Sequence, residues 1–250
     1  MMDPRLQAAL EKIQGELLQL LQDTVRVLEQ NRIPYCLICG TLLGAVRHKG
    51  FIPWDDDVDL VMPRSSYERF AALYPSQCSQ GFYLDTTDTW VPRIRRQGGG
   101  ELAFVDLFIL DPLPENPLQR GLKLLGLRIL QGTLKEHTDY TRFSLPQRAM
   151  LLCTSLMGKP FPKAVKLRAY DRLSRLGNPA SPLLHMANCS FHLLGTAFSP
   201  DIFDAPVPGD FQSLTVRLPR DASQVLTRLY GPDYMTPPPE SERRPQHLTL

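Results

Sequence analysis

Long apolar runs are the first thing this 250-residue sequence lacks. No stretch approaches the ~18 consecutive apolar residues of a membrane-spanning helix, because Lys123 and Arg128 interrupt the greasiest segment, Gly121 to Leu134. A transmembrane protein is thereby excluded from the reading. Cysteine is scarce and irregular: five residues, an odd number with no repeating spacing, make no disulfide framework and point to reduced thiols in a cytoplasmic protein. Cys36 and Cys39 do form a C-x-x-C. Tyr35 to Cys39 reads as a buried strand, however, where residues three apart face opposite ways, so a shared zinc ion is not expected. Charge of one sign is missing too, and a net charge of +2 is too small to imply a nucleic-acid partner. The start, Met1 to Arg5, has no basic stretch, apolar core and small-residue cleavage site, so secretory export by that route is not expected.

What is present is ordinary in bulk: 22% charged and 43% hydrophobic residues, the composition of a globular chain, so function has to be sought in local chemistry. Apolar residues recur at helical spacing from Leu6 to Gln30, until Asn31 and Pro34 stop them. The Tyr35 to Cys39 strand follows, then a short helix from Thr41 to Arg47, a loop with Gly50 and Pro53, a strand from Asp57 to Met62 and a helix from Ser65 to Leu73. Strands are predicted at Phe82 to Asp85, Val91 to Arg95 and Leu102 to Leu110. The mixed order says α+β or α/β. Asp111 to Pro117, rich in proline, is the expected domain boundary, after which helices are predicted over Leu118 to Glu136, Gln147 to Met157 and Pro162 to Leu176. Their charges, including Lys123, Arg128, Lys163 and Arg172, read either as solvated faces or as contacts to an anionic acceptor or membrane surface. The tail from Pro237 through His247 is too proline-rich and polar for a regular element.

The informative stretch runs from Gly40 to Leu60. On a strand, Asp57 and Asp59 project from one face while Val58 and Leu60 face the core. Two like charges about 4 Å apart repel by roughly 4 kcal/mol at an effective dielectric near 20, so such a pair calls for a cation or a shared proton. Magnesium suits it, since it takes one or two carboxylates and completes its shell with water and substrate phosphates; manganese is an acceptable substitute. A third acid is expected in Asp106, a lone charge inside the apolar run Phe104 to Leu110. Gly40 and Thr41 open a helix after a strand, where backbone N–H groups can meet a phosphate. Asp55, Asp57 and Asp59 imitate the start of an EF-hand loop, but Leu60 and Ser66 stand where that loop needs glycine and glutamate, so calcium by that motif is excluded.

The run Gly40-Thr41-Leu42-Leu43-Gly44-Ala45-Val46-Arg47, with Gly50-Phe51-Ile52-Pro53-Trp54-Asp55-Asp56-Asp57-Val58-Asp59, closely resembles the signature of the LicD/fukutin family of phosphotransferases. The resemblance continues through Met62-Pro63-Arg64, Tyr67, Phe70, Arg93 and Arg95 to Asp106-Leu107-Phe108-Ile109-Leu110-Asp111, where Ile109 replaces a proline usual in the family. Phe211 to Pro219 and Tyr230-Gly231 through Pro238, before His247, look like the family's C-terminal strand and Tyr-Gly motif. Residues from about Pro114 to Ser199 show little resemblance.

The resemblance implies a nucleotidyltransferase-like mixed sheet flanked by helices, with a catalytic core in residues 1–112, a mainly helical segment in residues 113–200 and a C-terminal portion, residues 201–250, packing back on the core. It implies transfer of a phospho-alcohol, phosphocholine foremost, from a CDP-activated donor such as CDP-choline to a hydroxyl of a glycan or glycolipid acceptor of the lipopolysaccharide or teichoic acid kind, releasing CMP. Asp57, Asp59 and Asp106 would be the catalytic and metal-binding acids. Arg47, His48, Arg93 and Arg95 are candidate phosphate contacts beside Gly40 and Thr41, and Trp54 would stack on a base or a choline-like cation or else anchor its loop. Two alternatives stay open: nucleotidyl transfer from CTP or ATP, and a catalytically silent protein that keeps the fold and pairs with a membrane-associated glycan-assembly enzyme through its basic helices. The expected location is the cytoplasm or, peripherally, the inner face of the membrane.

Overall fold

The structure, a computed structural model, describes residues 3–100, 102–135 and 145–248. Helix α1 (Pro4–Gln30) is capped by Asp3, whose side chain accepts from the N–H of Arg5, and buries Leu10, Leu17, Leu20, Leu21, Val27 and Leu28 along one stripe. It leads into β1 (Cys36–Leu37), α2 (Cys39–His48), β2 (Val58–Pro63), α3 (Arg64–Gln77), β3 (Phe82–Asp85), β4 (Arg93–Arg96) and β5 (Val105–Pro112). Helices α4 (Pro117–Leu134), α5 (Leu145–Gly158) and α6 (Lys163–Ser174) follow, then β6 (Leu184–Met186), β7 (Ala197–Phe198), the short α7 (Asp201–Asp204), β8 (Val207–Phe211), β9 (Leu214–Leu218) and α8 (Ala222–Tyr230). The class is α+β, with a mixed sheet.

At the centre of the sheet β2 and β5 run parallel, and their burial patterns are those of strands covered on both faces. The order is β1-β2-β5-β4-β3, with all pairs except β2–β5 antiparallel. The first part of β5 pairs with β4 and its end with β6, which in turn pairs with β7. The segment expected to be mainly helical therefore also supplies two strands to the same sheet.

Several local expectations shift. The strand expected from Tyr35 to Cys39 is only Cys36–Leu37, because Cys39 turns into a positive-φ conformation, φ 49°, and begins α2 two residues ahead of Thr41. Both cysteines are buried free thiols, pushed up by burial, to about 12 for Cys36. The strand bearing the acids begins at Val58, so Asp57 is the residue before it. Within the expected boundary Asp111 is the seventh residue of β5, and Arg64 at the start of α3 holds it through a bidentate ion pair. Lys123 is no solvated charge: it is 4% exposed, and its ammonium donates to the carbonyls of Pro112, Ser174 and Leu176 at 2.6, 2.7 and 2.9 Å. It thus ties α4 to the end of β5 and to the C-terminus of α6. Glu136, the last residue of the first expected helix, lies outside the described residues.

Candidate active site

Two strands and one helix position the acids. Parallel pairing sets Asp59 of β2 beside Asp106 of β5 in register, adjacent strands being about 4.8 Å apart. The backbone of Asp59 is held on both sides: its N–H donates to Thr41 Oγ1 at 2.8 Å and its carbonyl accepts from Ile38 N–H at 3.1 Å. Thr41, 2% exposed, therefore spends its hydroxyl oxygen on locking α2 to β2. Asp55 packs on Gly40, where an added Cβ would meet its Oδ2 at 2.8 Å. Gly44, one turn on, lies so close to Gly50 that a Cβ would meet the carbonyl oxygen of Gly50 at 2.4 Å. The glycines of the motif thus let α2 lie flat on the loop that delivers the acids.

Electrostatics mark this cluster out. Burial first, then the carboxylates of Asp57, Asp106 and Asp55, push Asp59 well above the usual carboxylate range, with Arg93 the charge opposing them. Asp55 is raised by burial and by Asp57 and Asp56. Asp106 is raised by burial, against the pull of Arg93, whose Nε donates to Oδ1 at 2.7 Å. Arg93 also lies over the Phe104 ring, 3.9 Å from its centroid, and the His247 ring meets the same phenyl edge-on at 5.3 Å. Phe104 is the shared floor on which a cation and a histidine face the acids.

The C-terminal segment closes the site. His247 Nε2 is 3.4 Å from Asp57 Oδ2, and this contact raises the imidazole's pKa. Asp56 accepts from the backbone N–H groups of Gln246, His247 and Leu248. Tyr230, at the end of α8, is 48% exposed overall, yet burial of its hydroxyl end, and then Cys39, Asp59, Asp55 and Asp57, push its pKa up. Tail and loop are also joined where Arg243 lies over Trp54 at 5.4 Å and where Arg47 donates to the carbonyl of Tyr234 at 3.2 Å.

Of the residues singled out from the sequence, the structure brings together Asp57, Asp59, Asp106, Gly40, Thr41 and Arg93. Arg47 and His48 sit in the last turn of α2, roughly 10 Å along the helix from Gly40, and hydrogen-bond to each other at 2.9 Å. Trp54 is half-buried beneath Arg243. Arg95 is turned to Asp85 and Asp88, at 3.4 and 2.9 Å. Asp55, Asp56 and Phe104 were not singled out as site residues from the sequence; their signal was three consecutive acids and an aromatic two residues before Asp106.

Among the described residues no three His, Cys, Asp or Glu side chains are set around a common point for a metal ion. Asp57 is taken up by His247 and Asp106 by Arg93. The donor chemistry nevertheless suits a hard divalent cation: all oxygen, densely anionic, and buried enough that the carboxylates raise one another's pKa.

Residues 32–106, which span this constellation and end on its third acid, match the model of the LicD/FKTN/FKRP nucleotidyltransferase domain. It is the LicD family that this segment is similar to. Over 245 residues the chain is 27% identical to the lipopolysaccharide cholinephosphotransferase LicD of Haemophilus influenzae, covering 88% of this chain and 89% of that protein. It is 38% identical over 81 residues to an uncharacterized protein of Rickettsia typhi, a match covering 32% of this chain and 26% of that protein. The LicD-type segment thus contains β1 to β4, the start of β5 and every acid of the cluster.

Proposed function

We propose that the protein is a transferase moving a phospho-alcohol, most simply phosphocholine, from a CDP-activated donor to a hydroxyl of a cell-surface glycolipid of the lipopolysaccharide type, with release of CMP. The observation that carries this reading is the in-register pairing of Asp59 with Asp106, beside Asp57, inside a segment that matches the LicD domain. The end-to-end similarity to a lipopolysaccharide cholinephosphotransferase supports the choice of alcohol and acceptor.

Magnesium, with manganese as substitute, would be held by Asp57, Asp59 and Asp106 and would supply charge neutralisation at the donor diphosphate. The chain's own groups do the rest. Arg93, fixed by Asp106 and Phe104, stands where its remaining N–H groups can bind phosphate oxygens. His247, whose Nε2 lies 3.4 Å from Asp57, is placed to take the proton of an acceptor hydroxyl when its ring is neutral. The tail segment Gln246 to Leu248, fastened to Asp56, screens the acids from water. The expected location is the cytoplasm, with the acceptor met at a membrane surface; no helix among the described residues is long and apolar enough to cross one.

A thermal-shift panel tests the donor without any acceptor: CDP-choline, CDP-ribitol, CDP-glycerol, CTP and ATP, with and without magnesium, on the wild type and on Asp57→Ala. A ligand at 100 times its Kd adds about 2.7 kcal/mol, or roughly 5 to 11 °C in a chain of this size. Stabilisation by one CDP-alcohol, lost without magnesium or in the variant, is the expected result. Stabilisation by CTP or ATP alone would replace the reading with nucleotidyl transfer, and indifference to every nucleotide would sink the donor assignment.

A further inference from the structure

Thirteen large hydrophobic side chains are exposed among the described residues, and nine of them lie between Leu118 and Leu176. Helix α4 shows how they are arranged. Its buried face carries Lys123, Leu127, Gln131 and Leu134. Leu118, Leu122 and Leu125, spaced four and three apart and so on one side of the helix, are 72%, 61% and 50% exposed. On α5, Leu152 and Leu156, again four apart, are each 52% exposed. One exposed leucine is ordinary, but leucines lined up along one side of a helix are not what a face meeting only water carries.

Charge supplies the second, independent observation. Residues 113–200 hold twelve Lys and Arg against four Asp and Glu, net +8, in a chain whose total is +2; everything outside that segment is therefore net −6. Lys159, Arg168 and Arg172 are exposed in the same helical region. Apolar stripes and basic side chains on adjoining helices are the composition of a surface that lies in the interfacial plane of an anionic bilayer. A second copy of this chain fits the face poorly, because it would set two basic helical regions against each other.

We propose that α4, α5 and α6 form a membrane-docking face, with the leucine stripes of α4 and α5 entering the boundary between headgroups and acyl chains and the surrounding Lys and Arg side chains contacting anionic lipid phosphates. The inference deepens the transferase reading, on which its purpose rests, since a glycolipid acceptor is presented at such a surface. Its physical basis is separate: it uses none of the acids and none of the LicD-matched residues.

The test is co-sedimentation of the full chain with vesicles of phosphatidylcholine alone and with vesicles containing phosphatidylglycerol, at low and high salt, for the wild type and for the double variant Leu122→Glu/Leu125→Glu. Both leucines point into solvent, so the variant keeps its thermal midpoint. The expected result is wild-type binding to the anionic vesicles, weakened by salt, and at least about tenfold weaker partitioning of the double variant. Absence of wild-type binding to anionic vesicles, or equal binding by the variant, would overturn the proposal. So would a wild-type dimer in sedimentation velocity that the variant loses, with no vesicle binding, since a second copy would then be the occupant. Donor-induced thermal shifts measured on the same two proteins separate the readings: if neither protein responds to any CDP-alcohol while vesicle binding behaves as expected, the transferase assignment fails and the docking face stands.

Discussion

The carboxylate of Asp56 accepts a hydrogen bond from the backbone N–H of His247 at 2.8 Å, and the neighbouring N–H groups of Gln246 and Leu248 reach the same acid at 3.0 and 2.7 Å. A buried carboxylate nearly two hundred residues earlier in the chain thus fixes a proline-rich tail that has no regular structure of its own at that point. Asp56→Ala should release it. Losing three hydrogen bonds to one charge costs about 2 to 4 kcal/mol, reduced by whatever water recovers. The expected signature is faster amide exchange confined to residues after Glu242, with a lowered affinity for the donor. Unchanged exchange in the tail would show that Arg243 on Trp54 and the packing on Phe104 hold it unaided.

Asp59 carries a built-in conflict between stability and chemistry. It is 6% exposed and surrounded by Asp57, Asp106 and Asp55. Asp59→Asn keeps the shape and removes one like charge, so the metal-free protein should gain about 1 kcal/mol, or ~2 to 4 °C in midpoint for a chain of this length. Transfer activity should fall by two orders of magnitude or more, the usual scale for removing a group that stabilises developing charge. A variant with undiminished turnover would remove Asp59 from the mechanism; a lowered midpoint would show that Arg93 already balances its charge in the fold.

The physics that made parts of this molecule legible in its sequence is local. Apolar periodicity announced α1, and a lone acid in the apolar run from Phe104 to Leu110 announced that Asp106 would need a compensating partner, which Arg93 supplies at 2.7 Å. What stayed hidden depends on partners distant in sequence. Lys123 looked like any helix-surface lysine because its three carbonyl acceptors come from Pro112, Ser174 and Leu176. Nothing near Asp56 hinted at a tail 190 residues away, and Arg64 and Asp111, both within the resemblance, gave no sign that they pair with each other. Cys39 broke the expected strand through a backbone conformation that cysteine rarely adopts. The short strands β6 and β7 carry too few residues for any periodicity to show.

Lys123 also yields a stability test. Burial holds its pKa down to about 8, close enough to neutrality that the ammonium depends on its three carbonyl partners. Lys123→Met preserves the aliphatic stem and leaves those carbonyls unpaired, two of them at the end of α6. The expected loss is about 3 kcal/mol, a drop of roughly 6 to 12 °C in thermal midpoint. A loss below about 0.5 kcal/mol would mean that water reaches the three carbonyls as readily as the lysine does.

His185 gives the fold a pH dependence separable from that of the acid cluster. It is fully buried on β6, its Nδ1 lies 2.8 Å from the carbonyl of Leu194, and burial, then Lys123, depress its pKa from 6.5 to about 4. A neutral ring donating from Nδ1 to that carbonyl satisfies the geometry. Since the folded-state value lies below the unfolded one, the unfolded chain takes up the proton first on acidification. The stability that His185 contributes is therefore complete above pH 6.5 and is lost progressively as pH falls to about 4. His185→Gln retains an N–H donor without a titrating ring. The difference in unfolding free energy between wild type and variant, measured by urea titration at intervals from pH 4 to 7.5, should be constant above 6.5 and move against the wild type below it, by roughly 3 kcal/mol in all. Taking the difference cancels the carboxylates common to both proteins, so a flat difference across the whole range would mean that His185 accepts its proton in the folded state as easily as in the unfolded one.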